Sequence, residues 1–367
     1  MSLSVGIVGL PNVGKSTLFN ALLRKQLAYA ANFPFATIEP NIGVVPVPDE
    51  RLSKLAEIVK VSEGMSHLPP EVPATVEFVD IAGLIAGAHK REGLGNKFLS
   101  HIRETDAICH VVRAFEDSGI VKEGAVSPIE DLKTIEMELA LADLETIEKQ
   151  KEPKGAASKE ERARWEVIQK IKPLLEKGNP ARNAVLNQEE KALAKQLSLL
   201  TSKPILIVLN TDEDRLKESE RLEIEFALKA DVSQDQVVAI CAKVEEQLSE
   251  LDGKEAQEYL EALGVTKPGL NRLIKKAFST LGLITFLTAG EKEVRAWTIH
   301  VGIDAQHAAG VIHTDFEKKF IKADVVGFDD FIDFGGWKNC REKGKVRSEG
   351  KLYLMKDGDV VEFKIGT

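Results

Sequence analysis

Short apolar runs alternate with longer amphipathic stretches over the first three quarters of the chain. The runs are rich in Val, Ile and Leu, as is typical of strands that are buried on both faces of a sheet. They lie at 3–8, 42–47, 74–80, 107–112, 204–209 and 236–240. Because strands that alternate with helical stretches indicate an α/β fold, we predict a parallel sheet flanked by helices.

A helical insertion is predicted between the fourth and fifth of these strands. About ninety residues separate them, whereas a crossover between parallel strands needs only about a dozen or more. The intervening sequence is rich in Glu, Lys, Leu and Ala, and helical periodicity covers 129–150 and 159–177. Asn179 and Pro180 mark a turn near its far end. We therefore predict a paired-helix, coiled-coil hairpin within residues 129–203.

The sequence pattern changes after a helix predicted at 270–281. Short strands are predicted at 284–287, 293–299, 351–355 and 360–364, with short helical pieces between them. This pattern is typical of a small α+β domain, for which about 85 residues suffice. The predicted domains are a sheet domain in two parts, 1–128 and 204–281, the insertion at 129–203, and a C-terminal domain at 282–367.

Residues 9–17, Gly-Leu-Pro-Asn-Val-Gly-Lys-Ser-Thr, match the phosphate-binding P-loop pattern G-x-x-x-x-G-K-[ST]. The match follows a predicted strand and precedes a predicted helix, so a chance glycine loop is disfavoured. In such a loop, backbone N–H groups and the helix N-terminus face the phosphates. The interpretation places Asn12, Val13, Gly14, Lys15, Ser16 and Thr17 around a nucleotide. Lys15 is expected to reach the β- and γ-phosphates, and Ser16 to bind Mg²⁺.

Two further segments fit a nucleotide switch. Residues 28–43 lack helical periodicity and contain Thr37, so we expect a loop that folds over the nucleotide and supplies Thr37 to the metal. Asp80 ends a predicted strand and begins Asp-x-x-Gly. In this motif the carboxylate meets Mg²⁺ through water, and the Gly83 N–H meets the γ-phosphate. Ser16, Thr37 and Asp80 are therefore the predicted metal set.

The base is expected to meet two segments that follow strands. Asn210-Thr211-Asp212-Glu213 stands where a guanine-specific switch has Asn-Lys-x-Asp, and Cys241-Ala242-Lys243 follows the next strand. With Thr in place of Lys and Glu in place of Asp, guanine selectivity should be lost and ATP preferred over GTP. Asn210 remains able to bond either the base or the loop. The alternative is a shifted loop in which Asp212 restores guanine binding.

The group that orients the attacking water is less clearly marked. Many switches place Gln directly after Asp-x-x-Gly, but this chain has Leu84, which cannot form a hydrogen bond, so slow intrinsic hydrolysis is expected. His89 and His110 are the histidines nearest the switch in sequence. His89 lies in a glycine-rich stretch, whereas His110 lies in the middle of a predicted strand, where packing in the core is the simpler interpretation.

Charge and cysteine content limit the remaining possibilities. The net charge of −9 argues against general nucleic-acid binding, but residues 149–203 carry thirteen Lys and Arg against seven Glu. Residues 338–351 carry six basic residues against two acidic ones. Both segments suggest a polyanionic partner such as ribosomal RNA. A solvated helix face or loop would also explain the positive charge of either segment taken alone. Three scattered cysteines, no membrane-length apolar run and no room for a signal peptide lead us to expect a cytoplasmic protein.

Taken together, these motifs resemble a Ras-like switch of the Obg-related branch. Two longer stretches are similar to the YchF-type Obg-related ATPases. They are Asn-Phe-Pro-Phe-Ala-Thr-Ile-Glu-Pro-Asn at 32–41 and Gly-Leu-Gly-Asn-Lys-Phe-Leu at 93–99. So are Arg-Glu-Thr-Asp-Ala at 103–107 and His-Val-Val-Arg at 110–113. The segment from 288 to 316 resembles the TGS domain of that family. The resemblance covers essentially the whole chain.

The resemblance implies a nucleotide-hydrolysing domain with a coiled-coil insertion and a ubiquitin-like TGS domain. It also implies ribosome association, preference for ATP and a link to translation and stress responses. It makes His110 a catalytic candidate and Asn12 a candidate for binding K⁺ beside the phosphates. We expect a monomer. Two other functions stay open: a GTP-specific switch, and a nucleotide-binding adaptor with negligible turnover.

Overall fold

The computed structural model describes residues 3–32, 41–81, 94–115, 127–155 and 157–366. Its contacts divide the chain into two compact units. The first comprises Met1–Val45 and Glu77–Leu281, and the second comprises Pro46–Val76 and Gly282–Thr367. The predicted boundary at 281/282 agrees with this division. Residues 46–76, however, belong with the C-terminal unit and not with the sheet domain, to which the sequence pattern had assigned them.

The strands and helices are numbered along the described chain. The strands are β1 (Ser4–Val8), β2 (Ile42–Pro46), β3 (Glu71–Val72), β4 (Thr75–Asp80), β5 (Ala107–Arg113), β6 (Ile205–Asn210), β7 (Val237–Ile240), β8 (Leu283–Ala289), β9 (Val294–His300), β10 (Phe320–Gly327), β11 (Arg347–Glu349) and β12 (Asp359–Ile365). The helices are α1 (Lys15–Asn32), α2 (Glu50–Ser62), α3 (Leu94–Glu104), α4 (Pro128–Glu148), α5 (Lys159–Glu176), α6 (Gln188–Gln196), α7 (Ser219–Ala230), α8 (Ala242–Leu248), α9 (Gly253–Ala262), α10 (Gly269–Thr280), α11 (Ala305–Ile312), α12 (Thr314–Lys318), α13 (Phe328–Phe334) and α14 (Trp337–Glu342).

The first unit is built on a six-stranded sheet in the order β2-β4-β1-β5-β6-β7. The pairs β1–β4, β1–β5, β5–β6 and β6–β7 are parallel, as the α/β prediction requires. On one face, Ile108 and Val112 of β5 pack in a buried cluster with residues of α3 and α4. Because these strands are parallel, their carboxyl ends meet at one edge of the sheet, where α/β proteins bind their ligands.

The helical insertion begins as an extension of this core. The buried residues Leu132, Ile135 and Leu139 of α4 pack on the sheet, whereas Ala140 and Ile147, farther along α4, pack against α5. The predicted helices 129–150 and 159–177 agree with α4 and α5 to within two residues at each end. One long helix is therefore shared between the sheet and the insertion, so the predicted boundary at 128/129 falls at the start of a helix that both parts use.

A buried polar network fixes the far end of the insertion to α4. The Asp143 carboxylate accepts hydrogen bonds from the Leu200 N–H at 2.7 Å, the Thr201 N–H at 2.8 Å and the Thr201 hydroxyl at 2.6 Å. Thr201 Oγ1 in turn accepts from the Ala181 N–H at 2.9 Å. Three separate chain segments thus depend on one carboxylate that is almost fully buried.

The second unit contains a mixed sheet in the order β11-β10-β12-β8-β9-β3. Strands β8 and β12 are parallel neighbours at its centre, while β8–β9, β10–β12 and β10–β11 are antiparallel. Strand β3 pairs with β9, which explains why residues 46–76 belong to this unit. Phe286, Val325 and Val361 form part of its core with α11. A separate α+β domain at the C-terminus is confirmed.

One strand prediction in this unit was wrong, and one strand was missed. Residues 351–355 form a turn with one isolated bridge, because Leu352 and Leu354 are exposed and do not form a buried run. Residues 320–327 form β10, which the sequence pattern did not predict. Lys322 and Asp324 break up its apolar run, and they lie on one face of the strand, where they form an ion pair with an Nζ–Oδ1 distance of 2.8 Å.

Across the described ranges, we find no helix that is both apolar and long enough to cross a membrane.

Replacing Asp143 with Ala should destabilise the first unit by about 3 kcal/mol, since it leaves two buried backbone N–H groups without an acceptor. Urea unfolding can be followed by the fluorescence of Trp165, which packs in the insertion, after Trp297 and Trp337 are changed to Phe. Glu145→Ala, at an exposed position of the same helix, is the control and should cost less than about 0.5 kcal/mol. Equal midpoints for the two variants would contradict this role of Asp143.

Candidate nucleotide site

The P-loop leaves β1 at Val8 and enters α1 at Lys15 through a tight turn. Asn12 and Gly14 have φ values of 61° and 96°, and the second is a conformation that favours glycine. A Cβ on Gly9 would lie 2.5 Å from the Val111 carbonyl oxygen, and one on Gly14 would lie 2.1 Å from Asn210 Nδ2. Gly9 is therefore required by the packing of backbone, and Gly14 by its φ and by the Asn210 side chain.

Asn210 joins the P-loop to the segment that follows β7. Its Nδ2 donates to the Val13 carbonyl at 2.9 Å, and its Oδ1 accepts from the Ala242 N–H at 2.9 Å. Asn210 therefore bonds to the loop, and the second N–H of its amide leaves the predicted contact with the base a prediction. The side chain is 6% exposed, and we call this pair of bonds the Asn210 clamp.

Lys15 and Asp80 lie close enough to influence each other at the same sheet edge. Burial lowers the pKa of the Lys15 ammonium, and the Asp80 carboxylate partly offsets this effect. Burial likewise raises the pKa of Asp80, and Lys15 opposes the change. Lys15 Nζ donates to the Leu10 carbonyl at 2.7 Å, so the lysine is held against its own loop.

The residues present suit a hard cation such as Mg²⁺. Ser16 is exposed in the first turn of α1, and Asp80 is half-buried at the end of β4. A hydroxyl and a carboxylate are oxygen ligands, as Mg²⁺ requires, and the ion normally keeps several waters. Within the described residues there is no cluster of three or more His, Cys, Asp or Glu that could hold a metal.

The residues predicted to meet the base differ in how far they are exposed to solvent. Thr211 is 2% exposed, and its backbone N–H donates to the Ile240 carbonyl at 2.8 Å. Glu213 is exposed, with its carboxylate 3.5 Å from the Tyr259 hydroxyl. Cys241 and Ala242 are buried, whereas Lys243 is exposed. Glu213 therefore lies beside α9, and Lys243, like Glu213, is open to solvent.

His110 is buried in the centre of the sheet, paired between Val8 and Ile207. It is 1% exposed, and its Nε2 has no hydrogen-bond partner within the described chain. Burial, with contributions from the cations Arg182 and Lys15, lowers the pKa of His110 to about 3. The imidazole is consequently neutral at pH 7, and the expectation that it packs in the core is correct.

Four predicted site residues lie outside the described ranges. They are Thr37 of the metal set, Gly83, Leu84 and His89. The predicted loop at 28–43 is partly wrong, because α1 continues to Asn32.

Two residues near the site were missed from the sequence. Tyr259 of α9 donates to Gln247 Oε1 at 2.9 Å and stands beside Glu213. Arg182 was counted among the basic surface residues of the insertion, yet it is largely buried and forms an ion pair with Glu136. Its place directly after the turn residues Asn179 and Pro180, outside the two long helices, is the feature of the sequence that sets it apart from the lysines.

Comparison with known families gives two matches, and the second begins next to the boundary at 281/282. Residues 4–148 match the model MMR_HSR1, described as a 50S ribosome-binding GTPase. Residues 283–366 match the model YchF-GTPase_C, described as a protein of unknown function. That description does not mention a TGS domain, so the TGS assignment stays a prediction.

Full-length relatives are also similar. "Ribosome-binding ATPase YchF" of Bacillus subtilis (strain 168) is 49% identical over 371 residues, and that of Escherichia coli O157:H7 is 50% identical over 369 residues; each match covers 99% of both chains. "Obg-like ATPase 1" of Rattus norvegicus is 43% identical and covers 100% of this chain and 93% of the relative. The solved structure of the Schizosaccharomyces pombe YchF GTPase superposes with a TM-score of 0.84 at 39% identity, covering 99% and 98% of the two chains. Similarity of this extent shows that the chain belongs to the YchF family of ribosome-binding ATPases.

Proposed function

We propose that this chain is an Mg²⁺-dependent ATP hydrolase that acts as a nucleotide switch and binds the ribosome. The observation that carries the proposal is the P-loop held by the Asn210 clamp, with Lys15 and Asp80 at the same sheet edge. The printed names of the relatives, ribosome-binding ATPase and Obg-like ATPase, support the same activity and partner. A link to translation and stress regulation follows only from the family resemblance.

Ser16, Thr37 and Asp80 would hold Mg²⁺, Asp80 through water. When bound, the ion neutralises charge that develops on the transferred phosphoryl group. Lys15 supplies a second positive charge, and its partial burial strengthens its interaction with phosphate oxygens. The backbone N–H groups of residues 9–17 complete the cradle, and their positions are fixed before the nucleotide arrives, because Gly9 and Gly14 are packed against backbone and the clamp.

We propose that His110 orients the attacking water. Many switches use a Gln for this role, but this chain has Leu84 at that position. A neutral imidazole can accept a proton or a hydrogen bond, and Nε2 has no partner among the described groups. Since that atom is also closed to solvent, water must reach it through a rearrangement of the neighbouring segments. His89 is the alternative. Slow turnover in the absence of a partner is the expected consequence.

ATP is proposed as the preferred nucleotide. Guanine recognition requires a carboxylate that accepts from N1–H and N2, but here Glu213 is exposed beside Tyr259. Adenine presents an acceptor at N1 and a donor at N6, so a carboxylate facing its edge would be repelled. A GTP-specific switch and an adaptor without turnover are the competing functions. Asn12 as a K⁺ ligand, a monomeric state and a cytoplasmic location complete the proposal.

Ser16→Ala should reduce Mg²⁺-dependent ATP hydrolysis by about 100-fold or more, because the hydroxyl that binds the ion is lost. Phosphate release at several Mg²⁺ concentrations measures the effect. Ser16→Thr keeps a hydroxyl at the same position, and its activity should remain within about threefold of the original chain. An Ala variant as active as the Thr variant would show that Ser16 does not bind the metal.

ATP should bind more tightly than GTP. The difference should be only about 1–3 kcal/mol, because the phosphates supply most of the affinity for either nucleotide. Calorimetric titration of both nucleotides in the same Mg²⁺ buffer measures the difference. The double variant Thr211→Lys, Glu213→Asp restores the guanine pattern and should shift the preference toward GTP. Tenfold tighter binding of GTP by the unaltered chain would exclude ATP preference and favour the competing GTPase.

Ribosome binding should depend on two exposed basic segments. In the C-terminal segment, Arg341, Lys345 and Arg347 form ion pairs with acidic neighbours, so Lys338, Lys343 and Lys351 are the better probes. Changing these three to Glu, or Lys151, Lys154 and Lys159 in the insertion, should weaken ribosome co-sedimentation and reduce its salt dependence.

Two control measurements decide whether the weaker ribosome binding comes from these two segments. Reversing Lys217, Lys229 and Lys254, which are exposed elsewhere, alters the net charge equally and should leave co-sedimentation nearly unchanged. Intrinsic ATP hydrolysis should be the same in all three triple variants. If the control triple weakens binding as much as the others, only overall charge matters and the two segments are not the contact surfaces.

A further inference from the structure

The second unit contains an open cavity of about 460 Å³ that four aromatic side chains line. They are Trp297 of β9, Phe316 of α12, Trp337 of α14 and Phe363 of β12. All the residues that line the cavity belong to this unit. Each of the four aromatic residues is only half-buried, so each keeps surface that can meet a ligand. The volume lies within the range of sites that hold small ligands, about 300–1,000 Å³.

Both tryptophans are held by hydrogen bonds of their indole N–H groups. Trp297 Nε1 donates to Thr288 Oγ1 at 3.0 Å, and Trp337 Nε1 donates to the Ala289 carbonyl at 3.4 Å. Thr288 and Ala289 are consecutive residues at the end of β8, so the two indoles are tied to the same point of the sheet. The Arg341 guanidinium lies over Trp337, with Cζ 5.4 Å from the ring centroid. A flat ring that enters the cavity therefore meets fixed aromatic and guanidinium surfaces, on which nucleobases stack.

Three glutamates also line the cavity, and two of them are paired with arginines. Glu293 lies 3.6 Å from Arg295, and Glu362 lies 2.6 Å from Arg341. For Glu63, which directly follows α2, no ion-pair partner is found among the residues that the structure describes. One carboxylate of the lining is therefore left to accept hydrogen bonds from a ligand.

Exposed lysines lie next to the cavity. Lys292 belongs to the lining, Lys338 follows Trp337 in α14, and Lys343 directly follows that helix. None of the three lysines has an ion-pair partner within the described ranges. Free cations beside a cavity with aromatic walls favour a ligand that keeps its phosphates outside and places an uncharged ring inside.

We propose that this cavity holds one unpaired base of single-stranded RNA, with the flanking phosphates at Lys292, Lys338 and Lys343. Aromatic and arginine surfaces stack on any base, whereas a base inside a duplex is already stacked and paired and cannot enter. The Glu63 carboxylate can accept a hydrogen bond from an exocyclic amino group, which cytosine has and uracil lacks. The inference rests on the proposed function, because ribosomal RNA would supply the strand.

Tryptophan fluorescence reports on the cavity directly, because the chain has three tryptophans and only Trp165 lies elsewhere, in the insertion. In a Trp165→Phe chain, a single-stranded cytidine octamer should quench the two remaining indoles, and an RNA duplex should not. A chain with Trp297→Phe and Trp337→Phe keeps only Trp165 and should not be quenched by the octamer. Equal quenching of that chain would place the RNA on the insertion and overturn the inference.

Two phenylalanines of this unit separate stacking from folding. Phe316 lines the cavity, whereas Phe320 is also half-buried but lies outside the lining. Because leucine keeps apolar volume but cannot stack, Phe316→Leu should weaken binding of a labelled octamer about tenfold, and Phe320→Leu should change it by less than about twofold. Fluorescence anisotropy measures both dissociation constants. Equal effects of the two substitutions would show that the cavity does not hold a base.

A second comparison tests the carboxylate. The original chain should bind the cytidine octamer more tightly than a uridine octamer, by about threefold or more, and Glu63→Ala should remove this preference. Glu57→Ala changes the net charge equally at an exposed position of α2 outside the cavity, and it should keep the preference. If both substitutions leave the preference unchanged, Glu63 does not contact the base and that part of the inference is wrong.

Two further outcomes separate the inference from the proposed function. Quenching by a lysine-rich peptide and not by the octamer would show that the aromatic walls bind cations, and would overturn the inference. If octamer binding depends on Phe316 but no chain co-sediments with ribosomes, the RNA site stands and the proposed ribosome partner fails. If ribosomes bind but neither tryptophan of the cavity responds to single-stranded RNA, the proposed partner stands and the inference fails.

Discussion

The site depends on two hydrogen bonds made by one amide. Asn210 ends β6, and its side chain connects the Val13 carbonyl in the P-loop with the Ala242 N–H that follows β7. These bonds are buried, so each group would cost about 1–3 kcal/mol if left without its partner. The phosphate loop and the base segment are therefore set relative to each other before any ligand binds. Gly14 is part of this arrangement, because any side chain there would collide with the amide.

The helical insertion is joined to the same core through buried polar groups. Helix α4 packs its first half on the sheet and its second half on α5, and Asp143 fixes the returning segment to it. The ion pair of Arg182 with Glu136 of α4 adds a second buried polar connection. The returning segment is therefore fixed to the helix that packs on the sheet, whereas Lys151, Lys154 and Lys159 of the insertion stay exposed.

The sequence predicted the parts of this structure that follow from local pattern. The P-loop needs a particular order of glycine, lysine and hydroxyl, and the central strands are continuous apolar runs, so both were placed correctly. The helices α4 and α5 were predicted because their periodicity is long. Strand β10 was missed because Lys322 and Asp324 break up its apolar run, and their pairing is visible only in three dimensions. Residues 46–76 were assigned to the wrong unit because β3 has only two residues and its partner β9 lies more than two hundred residues away.

Site roles that depend on long-range packing could not be predicted in the same way. Asn210 was recognised as important, but its bonds to the loop and to the segment after β7 are seen only in the structure. Arg182 looked like one of many surface cations, and its burial depends on Glu136, 46 residues earlier in the chain. A structure with Mg²⁺ and a non-hydrolysable ATP analogue tests the central claim most directly. The account predicts phosphates against residues 9–17, Ser16 on the metal, and Asn210 still bonded to Val13 and Ala242. An analogue bound elsewhere, or an Asn210 side chain turned to the adenine edge, would contradict it.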